Sequence, residues 1–229
     1  MEQLQDVSYK VVFEGGEGEI VEKKSRFIAT VRPVETEEEA VAFINEMKKK
    51  YWDARHNCSA FVIGSRQELN RCSDDGEPAQ TAGRPMLDVL LKEGITNVVV
   101  VVTRYFGGVL LGTGGLVRAY QKAVQEGLAN CKIITKQTGA QLCIGTDYNG
   151  LGKLQYLFGQ NHISILNTEY GADVIIRVLV PISQKTWLEK AVTEQTNGTA
   201  SLTWEGEVIY AEIDKEVMIF KKIKKNKFF

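Results

Sequence analysis

Apolar and polar positions alternate through SYKVVFEGGEGEIVEKKSRFIATVRPV, residues 8–34, and Gly15, Gly16 and Gly18 interrupt the alternation. That rhythm predicts two or three antiparallel strands, with SRFIATV as one of them. From Thr36 the period lengthens. Ala40, Phe43, Ile44 and Met47 recur at helical spacing, so residues 36–51 are expected to form a helix with those side chains buried. Thr36 and Glu39 stand at capping-box spacing, with Glu37 to Glu39 at the anion-favouring end and Lys48 to Lys50 at the other. HNCSAFVIG, 56–64, reads as a strand, RCSDDGEPAQTAGRP, 71–85, as a long polar loop, and MLDVLLKEG as a short apolar helix. Asn97 to Val102 is a β-branched run of the kind expected for a strand covered on both faces. Leu116, Ala119, Ala123, Val124 and Leu128 then give a helical stripe.

The second half has a different order. QLCIGTD predicts a strand, 148–161 a helix, HISILNTEY and ADVIIRVLV two strands separated by Gly171, the stretch after Pro181 a helix, and SLTWEGEVIYAEI a last long strand. Strand, helix, strand, strand, helix, strand is the order of a ferredoxin-like split βαβ unit. An α+β protein of two domains, 1–135 and 136–229, is therefore expected.

Composition narrows the function classes. The chain has 229 residues, 44% of them hydrophobic, and its 28 Lys and Arg balance 29 Asp and Glu. Such neutrality rules out nucleic-acid binding driven by the whole-protein field, so any such binding must come from a local patch. No apolar run is long enough to span a bilayer, and MEQLQDVSYK lacks the basic and apolar regions of a signal peptide, so a cytoplasmic protein without a membrane partner is expected. Cys58, Cys72, Cys131 and Cys143 are scattered without a CxxC pair, and the chain has 2 histidines. Neither a disulfide framework nor a multi-histidine metal site is expected, and no cofactor is implied. The lysines of KKIKKNKFF read as a solvated end or a binding arm.

Two constellations could carry chemistry. In TRYFGGVLLGTGGLVRAY, 103–120, Arg104, Tyr105 and Phe106 end the buried strand, and Gly107, Gly108, Gly112, Thr113, Gly114 and Gly115 lead into the helix. Open N–H groups at a helix N-terminus suit an anion; the same glycines also suit tight packing of strand against helix. No GK[ST] follows, and no acidic residue ends a second strand at the dinucleotide-fingerprint distance. The other constellation is SDDGEP, 73–78, with Ser73, Asp74, Asp75 and Glu77, and with Arg55 and His56 as candidate neighbours. Its carboxylates could hold a hard cation or simply shape an Asx turn. His56 and Cys58 share a strand face, as a thiolate pair or as a packed cysteine beside a hydrogen-bonded histidine.

RYFGGVLLGTGGL preceded by VVVVVT and followed by RAY, the upstream SDDGEPAQTAG and the early KSRFIA together resemble the IMPACT/YigZ family, over roughly residues 20–130. The second half resembles the small C-terminal domain of its bacterial two-domain members. The resemblance implies an N-terminal domain of left-handed βαβ topology like domain four of elongation factor G, and a ferredoxin-like C-terminal domain like its domain five. It places the family signature on Arg104, Tyr105, Phe106, Gly107, Gly108, Leu111 and Gly112, and on Asp74, Asp75, Gly76, Glu77 and Pro78, with no catalytic role attached. It also implies contact with RNA or the translation machinery. Eukaryotic relatives are implicated in controlling a stress-responsive translation kinase through protein binding, and their partner-binding segments have no counterpart in this second half.

The expected function is thus a noncatalytic protein that binds RNA or a ribosome-associated surface, not a reader of DNA sequence. Arg104, the glycine loop, Arg84 and Arg118 would meet phosphates, and Tyr105 or Phe106 would stack on bases. The alternatives are an enzyme on a small phosphorylated or peptide-like substrate, using Asp74, Asp75, Glu77 and His56 beside the glycine loop, and a protein-interaction module.

Overall fold

The β-branched run at 98–102 becomes the central strand of one sheet because its side chains alternate between two apolar layers. In the computed structural model, which describes residues 7–223, the chain divides into two compact units, 9–135 and 136 onward, the latter including residues 7 and 8. The first six residues of MEQLQDVSYK and the last six of KKIKKNKFF, on which two expectations rested, lie outside the described residues.

The first unit runs β1 (Ser8–Glu14), β2 (Gly16–Glu22), β3 (Ser25–Pro33), α1 (Glu37–Lys50), β4 (His56–Ile63), β5 (Leu69–Ser73), α2 (Gly83–Glu93), β6 (Ile95–Thr96), β7 (Val98–Tyr105) and α3 (Thr113–Ala129). Its sheet has the order β2-β3-β7-β4-β5, every neighbour antiparallel. Because β3 and β4 both run against β7, they run parallel to each other, and α1 makes the crossover between them. Val98, Val100 and Val102 point into a core with Phe27, Met86, Leu90, Tyr120 and Val124, between the sheet and helices α2 and α3. Val99 and Val101 point the other way, into a smaller core with Phe43 and Met47 of α1.

Two details depart from the expected opening. β1 pairs in parallel with the short β6, at Lys10 opposite Ile95, instead of continuing an antiparallel series with β2. The α1 cap forms with one arm as expected, Thr36 Oγ1 accepting from the Glu39 N–H at 3.2 Å. Glu39 in turn accepts from the Glu35 N–H at 2.7 Å.

The polar loop is shorter than its composition predicted. β5 extends to Ser73 and α2 begins at Gly83, which leaves 74–82 as the connection. Ala82 sits at the α2 N-cap and offers no side-chain acceptor. Asp74 reaches back across the loop to do that task, and so ties the loop to the helix it precedes.

The second unit contains β8 (Lys132–Thr146), α4 (Tyr148–Gln160), β9 (Ser164–Tyr170), β10 (Val174–Pro181), α5 (Lys185–Gln195), β11 (Ser201–Ile213) and β12 (Glu216–Ile223). Its strands lie in the order β9-β10-β8-β11-β12, all antiparallel. The first four make the split βαβ arrangement, with α4 and α5 packed through Leu154, Phe158, Leu188 and Val192 onto Leu142, Ile144, Val174, Ile176 and Val178. β12 is an addition to the expected order. It returns through a turn at Asp214 and Lys215, whose φ values of 54° and 70° are those of a tight hairpin turn.

Candidate functional site

Strand alternation decides where Arg104 goes. Two residues beyond Val102, it faces the α2 and α3 side of the sheet and is 6% exposed. Its Nη1 donates to Glu77 Oε1 at 2.6 Å, and the Tyr120 hydroxyl donates to the same oxygen at 2.8 Å. The Cys58 thiol lies 3.3 Å from the Tyr120 oxygen and 3.0 Å from the Asp74 carbonyl, so its proton can serve either. The His56 Nε2 is 4.0 Å from Glu77 Oε1. Its Nδ1 is 2.9 Å from the Asp75 carbonyl. A carbonyl only accepts, so Nδ1 carries the proton and Nε2 holds its lone pair in the neutral ring. The Arg104 guanidinium also lies over two rings, 5.3 Å from the Phe27 centroid and 5.7 Å from that of Phe106.

This buried cluster is a clamp. It joins β4, the 74–82 connection, β7 and α3 through one carboxylate. A buried ion pair has a large desolvation cost, and further hydrogen bonds to its atoms offset part of it, as Tyr120 does here. Burial pushes the Cys58 thiol and the Tyr120 hydroxyl far up, the neighbouring Glu77 charge adding to both. Cys58 therefore keeps its proton at neutral pH, and the thiolate alternative with His56 does not form.

The other two acids of the loop serve the backbone. Asp74 Oδ1 accepts from the Ala82 and Gly83 N–H groups at 3.0 and 2.8 Å, and Oδ2 from that of Gln80 at 2.8 Å. A carboxylate at the start of α2 satisfies open donors and meets the positive end of the helix dipole. Asp75 Oδ2 accepts from the Asn57 N–H at 2.7 Å, Oδ1 pairs with Lys48 at 2.6 Å, and the Ser73 hydroxyl accepts from the Asp75 N–H at 3.3 Å. Among the described residues no group of three or more His, Cys, Asp or Glu is placed to hold a metal ion.

The expected constellation thus comes apart. Arg104 is corrected from a surface phosphate contact to the buried partner of Glu77. Tyr105 leaves on the opposite sheet face, where its hydroxyl donates to Asp53 at 2.9 Å beside a shallow cleft of about 230 Å³ that Arg26 and Tyr51 also line. Arg84 is exposed on α2 and paired with Asp88 at 2.8 Å. Glu77 and His56 do meet the Arg104 end of the RYF motif, whereas Asp74 and Asp75 are turned to structural tasks. Tyr120, absent from the sequence-based candidates, completes the clamp. Its position four residues after Leu116, on the buried stripe of α3, is the signal that could have found it.

Above the clamp the loop is open. Phe106, Val109 and Leu110 are 50%, 42% and 83% exposed. A Cβ on Gly107 would fall 2.0 Å from the Lys24 carbonyl carbon, so this glycine allows the β2–β3 hairpin tip to touch the loop. Gly108 and Gly112 have φ of 83° and 71°, which lets the chain turn into α3. Thr113, Gly114 and Gly115 form the first turn of α3, with neither a side-chain cap nor an acidic residue there. An added Cβ on Gly114 would meet only the Arg118 guanidinium, at 3.7 Å. Lys23, Lys24 and Arg118 are exposed, and no salt bridge engages them among the described residues.

Comparison with known proteins places this arrangement in a family. Residues 23–128 match the Impact N-terminal domain, and residues 144–199 match a domain of unknown function, DUF1949. The chain is 42% identical over 205 residues to the IMPACT family member YvyE of Bacillus subtilis (strain 168), covering 90% of this chain and 94% of the relative. It is 37% identical over 182 residues to the IMPACT family member YigZ of Escherichia coli (strain K12), covering 79% and 89%. The chain belongs to the IMPACT family. A solved structure, described as a crystal structure of an hypothetical protein, matches with a TM-score of 0.55 and 35% identity over 85% of this chain and 96% of that one.

Proposed function

We propose that this IMPACT family protein is a noncatalytic binding protein, and that its 106–115 loop, with the Lys23–Lys24 hairpin tip and Arg118, contacts RNA or a ribonucleoprotein surface. The observation that carries this reading is the combination at one place of exposed apolar side chains, unpaired cations and an uncapped helix N-terminus. Cations and N–H groups position a phosphate backbone, while apolar and aromatic groups meet bases or an apolar protein surface. The near-neutral total charge fits a local contact of modest affinity and marked salt dependence. The acid–base alternative draws less support, because Asp74 and Asp75 are occupied by backbone N–H groups and Lys48.

The test is fluorescence binding of a structured RNA over a salt series. Replacing Lys23 and Lys24 by Glu is expected to weaken binding and to flatten the log K against log salt line by about one unit per lost phosphate contact. An unchanged affinity and slope would remove this site from the binding surface.

A further inference from the structure

Phe106 differs from every other exposed apolar residue of the loop in being supported from beneath by a fixed cation. The Arg104 guanidinium lies 5.7 Å from its ring centroid, is itself 6% exposed, and cannot follow the ring outward because Glu77 holds it at 2.6 Å. Glu77 is held in turn by Tyr120, and the guanidinium also lies over the Phe27 ring at 5.3 Å. The ring thus has one face toward a clamped cation and half of its surface toward solvent. Holding a ring before a partner arrives lowers the entropy lost on binding.

Resting on the RNA reading above, we infer that Phe106 is a preorganised stacking platform for one unpaired nucleobase, with the flanking phosphates met by Lys23, Lys24 and Arg118. The ligand class is single-stranded RNA, or an extruded base in a loop, and not a duplex. Three features favour that occupant. The ring is flat, half open and backed by a cation, which suits the π-face of any base. Lys24 stands at the hairpin tip that touches Gly107, with Lys23 beside it, and Arg118 lies beside Gly114; none of the three enters a salt bridge among the described residues, and the first turn of α3 carries no acid to repel a phosphate. Tyr105, the other aromatic of the motif, is turned to the opposite face and bonded to Asp53, so the platform is one residue wide. In a duplex the bases already stack on one another, and a platform on a protein surface has no face to meet.

The experiment uses the full chain and a single-stranded oligoribonucleotide carrying one 2-aminopurine, beside the same strand annealed to its complement. The wild-type protein is expected to prefer the single strand and to quench the 2-aminopurine. Phe106→Ala should lose roughly 5-fold or more in affinity together with the quenching, and Phe106→Trp should keep both. Because Phe106 is half exposed, circular dichroism should show each variant folded. If both RNAs bind alike, Phe106→Ala has no effect and the Lys23→Glu, Lys24→Glu double variant still weakens binding, the platform is overturned and the RNA reading stands. If neither RNA binds, both fall, and an apolar protein surface becomes the partner that Val109 and Leu110 suit.

Discussion

Arg104 and Phe106 stand two residues apart in one motif, yet the first is 6% exposed and the second 50%. The buried side of the motif is a clamp in which every partner is internal: Arg104, Tyr120 and His56 converge on the Glu77 carboxylate, and Cys58 lies against the Tyr120 hydroxyl. The exposed side has unpaired cations, open backbone donors and apolar side chains with water around them. The contrast teaches that a chemically suggestive run such as RYFGG can divide its labour by strand parity and by where the strand stops, since β7 ends at Tyr105 and Phe106 lies beyond it. One residue closes the core, its neighbour leaves by the other face, and the next stays half open to solvent.

The strongest way to break this contrast is at the clamp. Glu77→Ala strands a buried guanidinium and is expected to cost about 3–5 kcal/mol of unfolding free energy in urea titrations. A cost below 1 kcal/mol would mean that Arg104 finds water or another acceptor. Asp74→Ala removes the acceptor of two backbone N–H groups at the start of α2 and of the Gln80 N–H in the connection before it, and should cost about 1–2 kcal/mol, with Asp74→Asn recovering part of it.

Alkaline pH tests the clamp without mutation. In the folded protein Cys58 and Tyr120 hold their protons above the ordinary values of 9.0 and 10.0 at which the unfolded chain releases them. The folded state therefore binds more protons above that range. The stability they contribute is complete below about pH 9 and falls as pH rises, by about 1.4 kcal/mol per pH unit for each group. Urea midpoints across pH 8 to 11 should show this decline, and Cys58→Ala should remove one of its two parts. The smallest expected effect belongs to the exposed side: Phe106→Ala should change stability by no more than about 0.5 kcal/mol, since the side chain is half exposed and lies outside the buried cores.

Much of this fold is legible along the chain, and the reasons are local. Val98 to Val102 announce a strand covered twice because no polar side chain interrupts them, and Thr36 with three glutamates marks the start of α1 through contacts within one turn. The element order of the second unit likewise follows from pattern. What pattern hides is contact between distant residues. Asp74 caps a helix that begins nine residues later, past an N-cap that is alanine, so no capping signature stands at the helix itself. β12 escapes because its turn is Asp-Lys, without the glycine that usually supplies positive φ. Arg104 is instructive because alternation from Val100 and Val102 places it on the core face, while its charge invites the opposite expectation. Only the carboxylate of Glu77, brought in from another segment, reconciles the two.

The central claim is that the motif separates fold from contact at Phe106. Its most direct test is to measure RNA affinity and urea midpoint on the same preparation of Phe106→Ala. The variant should keep its midpoint to within about 0.5 kcal/mol in stability while losing roughly 5-fold or more in affinity for single-stranded RNA. A midpoint lowered as far as that of Glu77→Ala, or an affinity equal to wild type, would contradict it.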